Sequence, residues 1–182
     1  MRARWISVAR AGIVALALFL PAAAAGGAAP EVKAFVGDRA PSFVVQDLDG
    51  NRVALDEILG SGKAVLLNFW GLRCGACIEE IGYLNALYDA YGGKGVVFLG
   101  INVDGVKGDV VKQLMARLPN VPKYRVVADP DFQVPDLYAL EAAPLSIVIG
   151  PDGRIVFRHD NFHPGDEKAV EQALLRVLPA GR

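Results

Sequence analysis

The stretch Ala64-Val65-Leu66-Leu67-Asn68-Phe69-Trp70-Gly71-Leu72-Arg73-Cys74-Gly75-Ala76-Cys77-Ile78-Glu79-Glu80 decides how the chain is read. Its first six residues are a near-continuous apolar run, which predicts a central strand buried on both faces. From Gly75 the pattern changes. Ile78, Ile81, Leu84, Leu87 and Tyr88 recur at helical spacing, and Gly92-Gly93 stops the run near Tyr91. A buried strand therefore feeds a helix, and the chain's two cysteines fall at the junction.

Working outward, Ser42–Val45 reads as a short strand, Asp49-Gly50 as a hairpin turn and Arg52–Leu55 as the return strand. Asp56 is placed to cap a helical turn ending at Gly60. On the far side, Gly95–Ile101 and Leu145–Ile149 read as buried strands, and Tyr124–Val127 as an edge strand. Val110–Leu118 and Pro130–Leu140 read as helices. Pro151-Asp152-Gly153 turns the chain into Arg154–Arg158, and Lys168–Val177 closes it as a helix. The alternation predicts an α/β fold: a central mixed β-sheet flanked by helices, with an added N-terminal β-hairpin. Parallel pairs follow from the alternation, and an antiparallel pair from the last tight turn.

Apolar residues make up 53% of the 182, enough for a packed core, and 19 Lys and Arg nearly balance 20 Asp and Glu. With no long basic run, nucleic acid is not an expected partner. The N-terminus differs in kind. Arg2, Arg4 and Arg10 precede a wholly apolar or Gly stretch from Ala11 to Leu20, then Pro21 and alanines including Ala23-x-Ala25. That is the pattern of a secretory signal peptide over residues 1–25. A linker over 26–35 and one folded domain over 36–182 follow. The alternative is a retained membrane anchor, since residues 11–29 carry no charge, but Pro21 and Gly26-Gly27 disfavour a spanning helix. The expected location is periplasmic or otherwise extracytoplasmic, where disulfides persist.

Cys74-Gly75-Ala76-Cys77 after a strand and opening a helix is the sequence sign of a thioredoxin-like redox site. The thiolate is the reactive form of a thiol whose ordinary pKa is about 8.5. A helix N-terminus offers unpaired N–H groups and partial positive charge to stabilise it, and Arg73 adds a cation. Cys74 is then the attacking nucleophile and Cys77 the more buried resolving thiol. Other uses of the pair are an inert disulfide, half of a zinc site with His159 and His163, and a soft copper(I) site. The spacing of the histidines disfavours zinc, and both are expected to be solvated. Ala143-Pro144 opens the third buried strand. A Pro there begins the strand or is cis; if cis, it would bring the backbone of Ala143 beside the sulfurs, where an extended substrate could pair.

These features together resemble the TlpA/ResA/CcmG group of bacterial thioredoxin-like proteins over about residues 36–178. The resemblance rests on Ala64–Trp70 leading into the two cysteines, on Glu80, on Gly100-Ile101-Asn102-Val103-Asp104, and on Ala143-Pro144 before Leu145–Ile149. It implies an extracytoplasmic thiol–disulfide oxidoreductase that reduces protein disulfides by dithiol exchange, without a cofactor, and a monomer. Partners implied are apocytochrome c or copper-site cysteines as substrates, and a membrane thiol reductant of the DsbD/CcdA type. The rival functions are a copper(I) metallochaperone and a thiol peroxidase. Three positions depart from the group: Arg73 where Trp is usual, Ala76 where Pro is frequent, and Gly82 where Pro is common. Many cytosolic thioredoxins carry a proton-accepting Asp at the position of Asn68, which cannot take a proton. Glu80, one turn beyond Cys77, is expected to assume part of that duty; the alternative is a solvated surface Glu. Trp70, Arg73 and Ala143 are expected substrate contacts, Trp70 as a shelf or else as packing beside the site.

Overall fold

A computed structural model describes residues 34–178; the expected signal peptide and most of the linker lie outside the described residues. The elements are β1 (Val44–Gln46), β2 (Arg52–Ala54), α1 (Leu55–Gly60), β3 (Ala64–Trp70), α2 (Gly75–Tyr91), β4 (Val96–Asn102), α3 (Gly108–Met115), β5 (Arg125–Ala128), α4 (Gln133–Leu137), β6 (Leu145–Ile149), β7 (Ile155–Asp160) and α5 (Glu167–Val177). Five strands form one sheet in the order β5-β4-β3-β6-β7. β3, β4 and β5 run parallel, while β6 is antiparallel to β3 and β7 to β6. The sheet is therefore mixed, as the alternation and the final hairpin require.

All seven residues of β3 are buried because the strand lies mid-sheet with cover on both faces. Side chains alternate faces along a strand. Val65, Leu67 and Phe69 join Leu99, Ile101, Leu145 and Ile147 beneath Leu55, Leu59, Val134 and Tyr138 of the α1 and α4 layer. Ala64 and Leu66 join Phe98 and Val148 beneath Leu84, Leu87, Val170 and Leu174 of α2 and α5. Asn68 and Trp70 have the same parity as Ala64 and Leu66, so they face α2. Register extends this placement across the sheet: Gly100, Asn68, Ser146 and His159 lie opposite one another on β4, β3, β6 and β7.

The β1–β2 hairpin is a sheet of its own. Asp47 accepts from the backbone N–H groups of Asp49 and Asn51 at 3.0 and 2.8 Å, which closes its turn. Leu48 N–H donates to the Val126 carbonyl at 3.0 Å, and Asp47 bridges Val127 of β5. At the opposite side, Gly37 N–H donates to the Ile155 carbonyl and Ile155 N–H to the Asp38 carbonyl. Asp56 does not cap α1. The cap is Ala54, with no side-chain hydrogen bond, and Asp56 sits in the first turn, accepting from Ser42 Oγ at 2.6 Å.

Gly100 makes room for the packing behind the cysteines. A Cβ there would lie 3.1 Å from both Trp70 Nε1 and Tyr124 Cε2. Both rings are buried, so neither can swing aside. Gly100→Ala is expected to destabilise the fold by about 1–3 kcal/mol, the cost of overpacking. A chemical-denaturation midpoint equal to that of the parent chain would contradict this packing account.

Candidate active site

Cys74 is the N-cap residue of α2, in extended backbone geometry. The turn before it is closed by Cys74 N–H on the Gly71 carbonyl at 3.2 Å, and the first helical bond is Ile78 N–H on the Cys74 carbonyl at 3.0 Å. The two sulfurs are joined as a disulfide. Cys77 N–H donates to Cys74 Sγ at 3.1 Å, so the helix aims a donor at the sulfur placed to carry charge once the bond is reduced. Cys74 is half-buried and reachable, whereas Cys77 is fully buried. The arrangement can expose one sulfur to attack while sheltering the other.

The Ala143-Pro144 bond is cis. The Ala143 carbonyl oxygen lies 3.8 Å from Cys74 Sγ, and Ala143 is half-buried. Arg73 is exposed beside Cys74. Trp70 does not form an exposed shelf. It is fully buried, packed with Cys77, Ile81, Val111 and Val126, because its even position on β3 turns it under α2. Its role is to back the cysteines, and the expectation of a substrate contact is corrected.

Glu80 is 1% exposed. Its Oε2 accepts from Asn68 Nδ2 at 2.8 Å and its Oε1 from Ser146 Oγ at 2.8 Å. Asn68 Oδ1 in turn accepts from Tyr124 OH at 3.2 Å. The solvated-surface alternative therefore does not apply. Burial pushes the Glu80 carboxyl up to about 7, against the two hydrogen bonds and the nearby His159, which favour its charge; Asp166 opposes it. His159 is not freely solvated either: Nε2 lies 2.9 Å from Asp166 Oδ2, and 30% of its side chain is exposed. His163 is exposed, with Nδ1 3.7 Å from the same oxygen.

Ser146 and Asp104 were not singled out from the sequence. Ser146 is the residue opposite Asn68 in register, so a polar position inside a buried strand was the available signal. Asp104 Oδ2 accepts from Leu72 N–H at 2.7 Å and from Asn102 Nδ2 at 2.6 Å, tying the loop before Cys74 to the end of β4. Gly82 also has a local reason. Asn120 Nδ2 donates to the Ile78 carbonyl at 2.9 Å and lies 2.9 Å from where a Cβ on residue 82 would sit.

A cysteine pair at a helix N-terminus, a cis-proline beside it and a thioredoxin-like sheet behind it accord with the family model that matches residues 36–158, described as AhpC/TSA family. The chain belongs to the AhpC/TSA family. It is similar to the thiol-disulfide oxidoreductase ResA of Bacillus cereus, 35% identical over 131 residues, 70% of this chain and 71% of that protein. It is similar also to the ResA of Bacillus thuringiensis subsp. konkukian, 33% identical over 149 residues, 82% of each chain. Among solved structures, a thiol:disulfide interchange protein DsbE from Chlorobium tepidum superposes with a TM-score of 0.72 at 32% identity, covering 81% of this chain and all (100%) of that one. This member of the AhpC/TSA family is a thiol–disulfide oxidoreductase with a thioredoxin-like fold, and the resemblance drawn from the sequence agrees with these relatives.

The buried acid makes stability depend on pH. Its folded value of about 7 lies above its ordinary 4.5, so the folded state holds the proton longer than the unfolded chain. Stability of the oxidised protein is then full below about pH 4.5 and falls as pH rises through about 7, by on the order of 3 kcal/mol. Glu80→Gln should flatten that fall. Denaturation midpoints of both proteins at several values between pH 4 and 8, roughly the range of the shift, measure it; parallel curves would refute the assignment.

Proposed function

We propose that the protein is an extracytoplasmic reductant of protein disulfides, with Cys74 as nucleophile and Cys77 as resolving thiol. The observation that carries the dithiol exchange is the disulfide at the tip of α2, with Cys74 half-buried, Cys77 sealed and the Cys77 N–H on the Cys74 sulfur; the reducing direction rests on the resemblance to the TlpA/ResA/CcmG group. In the reduced protein, the Cys74 thiolate attacks one sulfur of a substrate disulfide. A mixed disulfide forms and the first substrate thiolate departs, to be protonated. The Cys77 thiolate then attacks Cys74 Sγ, the mixed disulfide breaks, and the second substrate thiolate leaves. Two electrons pass to the substrate, and the Cys74–Cys77 bond is restored.

Cys77 must lose its proton in a dry pocket. Glu80, one helical turn on and poised near neutrality, receives it in this reading and returns it in the reverse direction. The half-buried Ala143 and the cis-Pro144 beside Cys74 give an extended substrate a place to lie, and exposed Arg73 favours the thiolate. Residues 1–25 act as an export signal and residues 36–182 as the working domain; among the described residues no helix is long and apolar enough to cross a membrane. In this reading, by the resemblance of the sequence to the TlpA/ResA/CcmG group, the substrates are disulfides of apocytochrome c or of copper-site cysteines, and a membrane thiol reductant of the DsbD/CcdA type resupplies electrons.

Cys77→Ser is expected to accumulate a mixed disulfide through Cys74 with a disulfide-bonded protein substrate, visible by mass spectrometry, while Cys74→Ser accumulates none. Trapping through the wrong cysteine would overturn the assignment of roles. The midpoint potential of the pair decides direction: a value well below that of the glutathione pool is expected, and one near −120 mV, as in the strong oxidant DsbA, would mean disulfide donation instead. Glu80→Gln should slow resolution of the mixed disulfide about 100-fold and move the thiolate titration seen by ultraviolet absorbance. An unmoved titration would remove Glu80 from the mechanism.

A further inference from the structure

An open cleft of about 490 Å³ is lined by Leu72 and Arg73, the two residues that precede Cys74. Leu72 and Arg73 supply one wall from the loop before α2. Asp104 and Val106 line it from the loop after β4, and Leu114, Arg117 and Leu118 from α3 and the turn beyond it. Leu72, Val106 and Leu118 pack, together with Cys74 itself, on Trp70, Cys77, Ile81 and Val111. The floor of the cleft is thus continuous with the packing of the nucleophile. Leu114 stands 39% exposed at its mouth.

Its charge is lopsided. Arg73 and Arg117 are both exposed at the rim, and the ion pairs found among the described residues use other side chains. Asp104 is the one acid in the lining, and its Oδ2 is taken by Leu72 N–H and Asn102 Nδ2. Two guanidinium groups therefore frame an apolar seat that holds a single, engaged carboxylate.

We propose that this cleft seats an apolar side chain next to the substrate's reacting cysteine, and that Arg73 and Arg117 select substrates carrying carboxylates beside it. This rests on the reading that Cys74 attacks polypeptide disulfides, and it adds the class of polypeptide preferred. A chain held at Ala143 continues over Cys74 into the cleft. The apolar residue displaces water from Leu72, Val106 and Leu118. A following Asp or Glu meets guanidinium forks suited to carboxylates, at a surface where salt screens the attraction.

The test uses the reduced full chain and three disulfide-cyclised peptides of equal length. Their cysteine is flanked by Leu-Glu-Glu, Leu-Lys-Lys or Ser-Glu-Glu. Reduced peptide is quantified by chromatography, and each rate is divided by that of the same peptide with dithiothreitol to remove its intrinsic reactivity. The Leu-Glu-Glu peptide is expected to exceed Leu-Lys-Lys about tenfold at low salt, with the ratio shrinking as salt rises. It should exceed Ser-Glu-Glu several-fold. Arg117→Glu should bring the acidic-to-basic ratio to about one or below; comparing two peptides on one variant cancels any change in the cysteine pair. Equal normalised rates, an unchanged ratio in Arg117→Glu, or glutathione disulfide outpacing Leu-Glu-Glu would each overturn the proposal. If none of the peptides is reduced at all, the failure lies with the protein-disulfide reading, and the cleft assignment falls with it.

Discussion

The backbone N–H of Cys77 pointing at the sulfur of Cys74, 3.1 Å away, is the contact on which the rest depends. It exists only because Cys74 is the cap of α2 and Cys77 lies within its first turn. Four unpaired N–H groups and a partial positive charge gather at that end of any helix. An aliphatic cap would leave them to water. A sulfur placed there gains where it is charged, so the local electrostatics reward the reduced, ionised form. The buried β3 holds the helix end in place, and the Asp104 carboxylate fixes the intervening loop through Leu72 N–H.

The second constraint is that a charged group taken out of water must be compensated or neutralised. Glu80 has two neutral donors and no cation in contact, so its carboxyl rests near neutrality and not far below. The partners come from different strands, β3 and β6, and meet because register places Asn68 opposite Ser146. A buried carboxyl held near neutrality one helical turn past Cys77 is therefore a property of the sheet as much as of the helix.

Much of this was legible in the residues. The apolar run of β3, the helical spacing after Gly75 and the Asp152-Gly153 turn each carry their period or turn chemistry openly, and the elements lie within a few residues of those positions. Cys74 and Cys77 announce themselves by spacing. Trp70 misled because an aromatic beside a motif looks available, whereas the face a strand residue takes is set by parity against its neighbours, and its even position turns it inward. Asp56 looked like a cap, but Ser42 competes for its carboxylate from 14 residues away. Ser146 shows in the sequence as a polar residue inside an apolar strand, but its partner does not: that lies in the pairing of β6 with β3, and pairing is not written in either strand alone.

The backbone bonds that tie Gly37 and Asp38 to Ile155, and Leu48 to Val126, act on the two outermost strands of the central sheet. Outermost strands ordinarily bare a row of unpaired amides and carbonyls on which a second chain can polymerise. Here one continuous stretch of chain, from before Ala40 to the β1–β2 turn, occupies part of both margins. With both margins partly taken, this thiol–disulfide oxidoreductase offers its own copies fewer open amides and carbonyls on which to add as further strands.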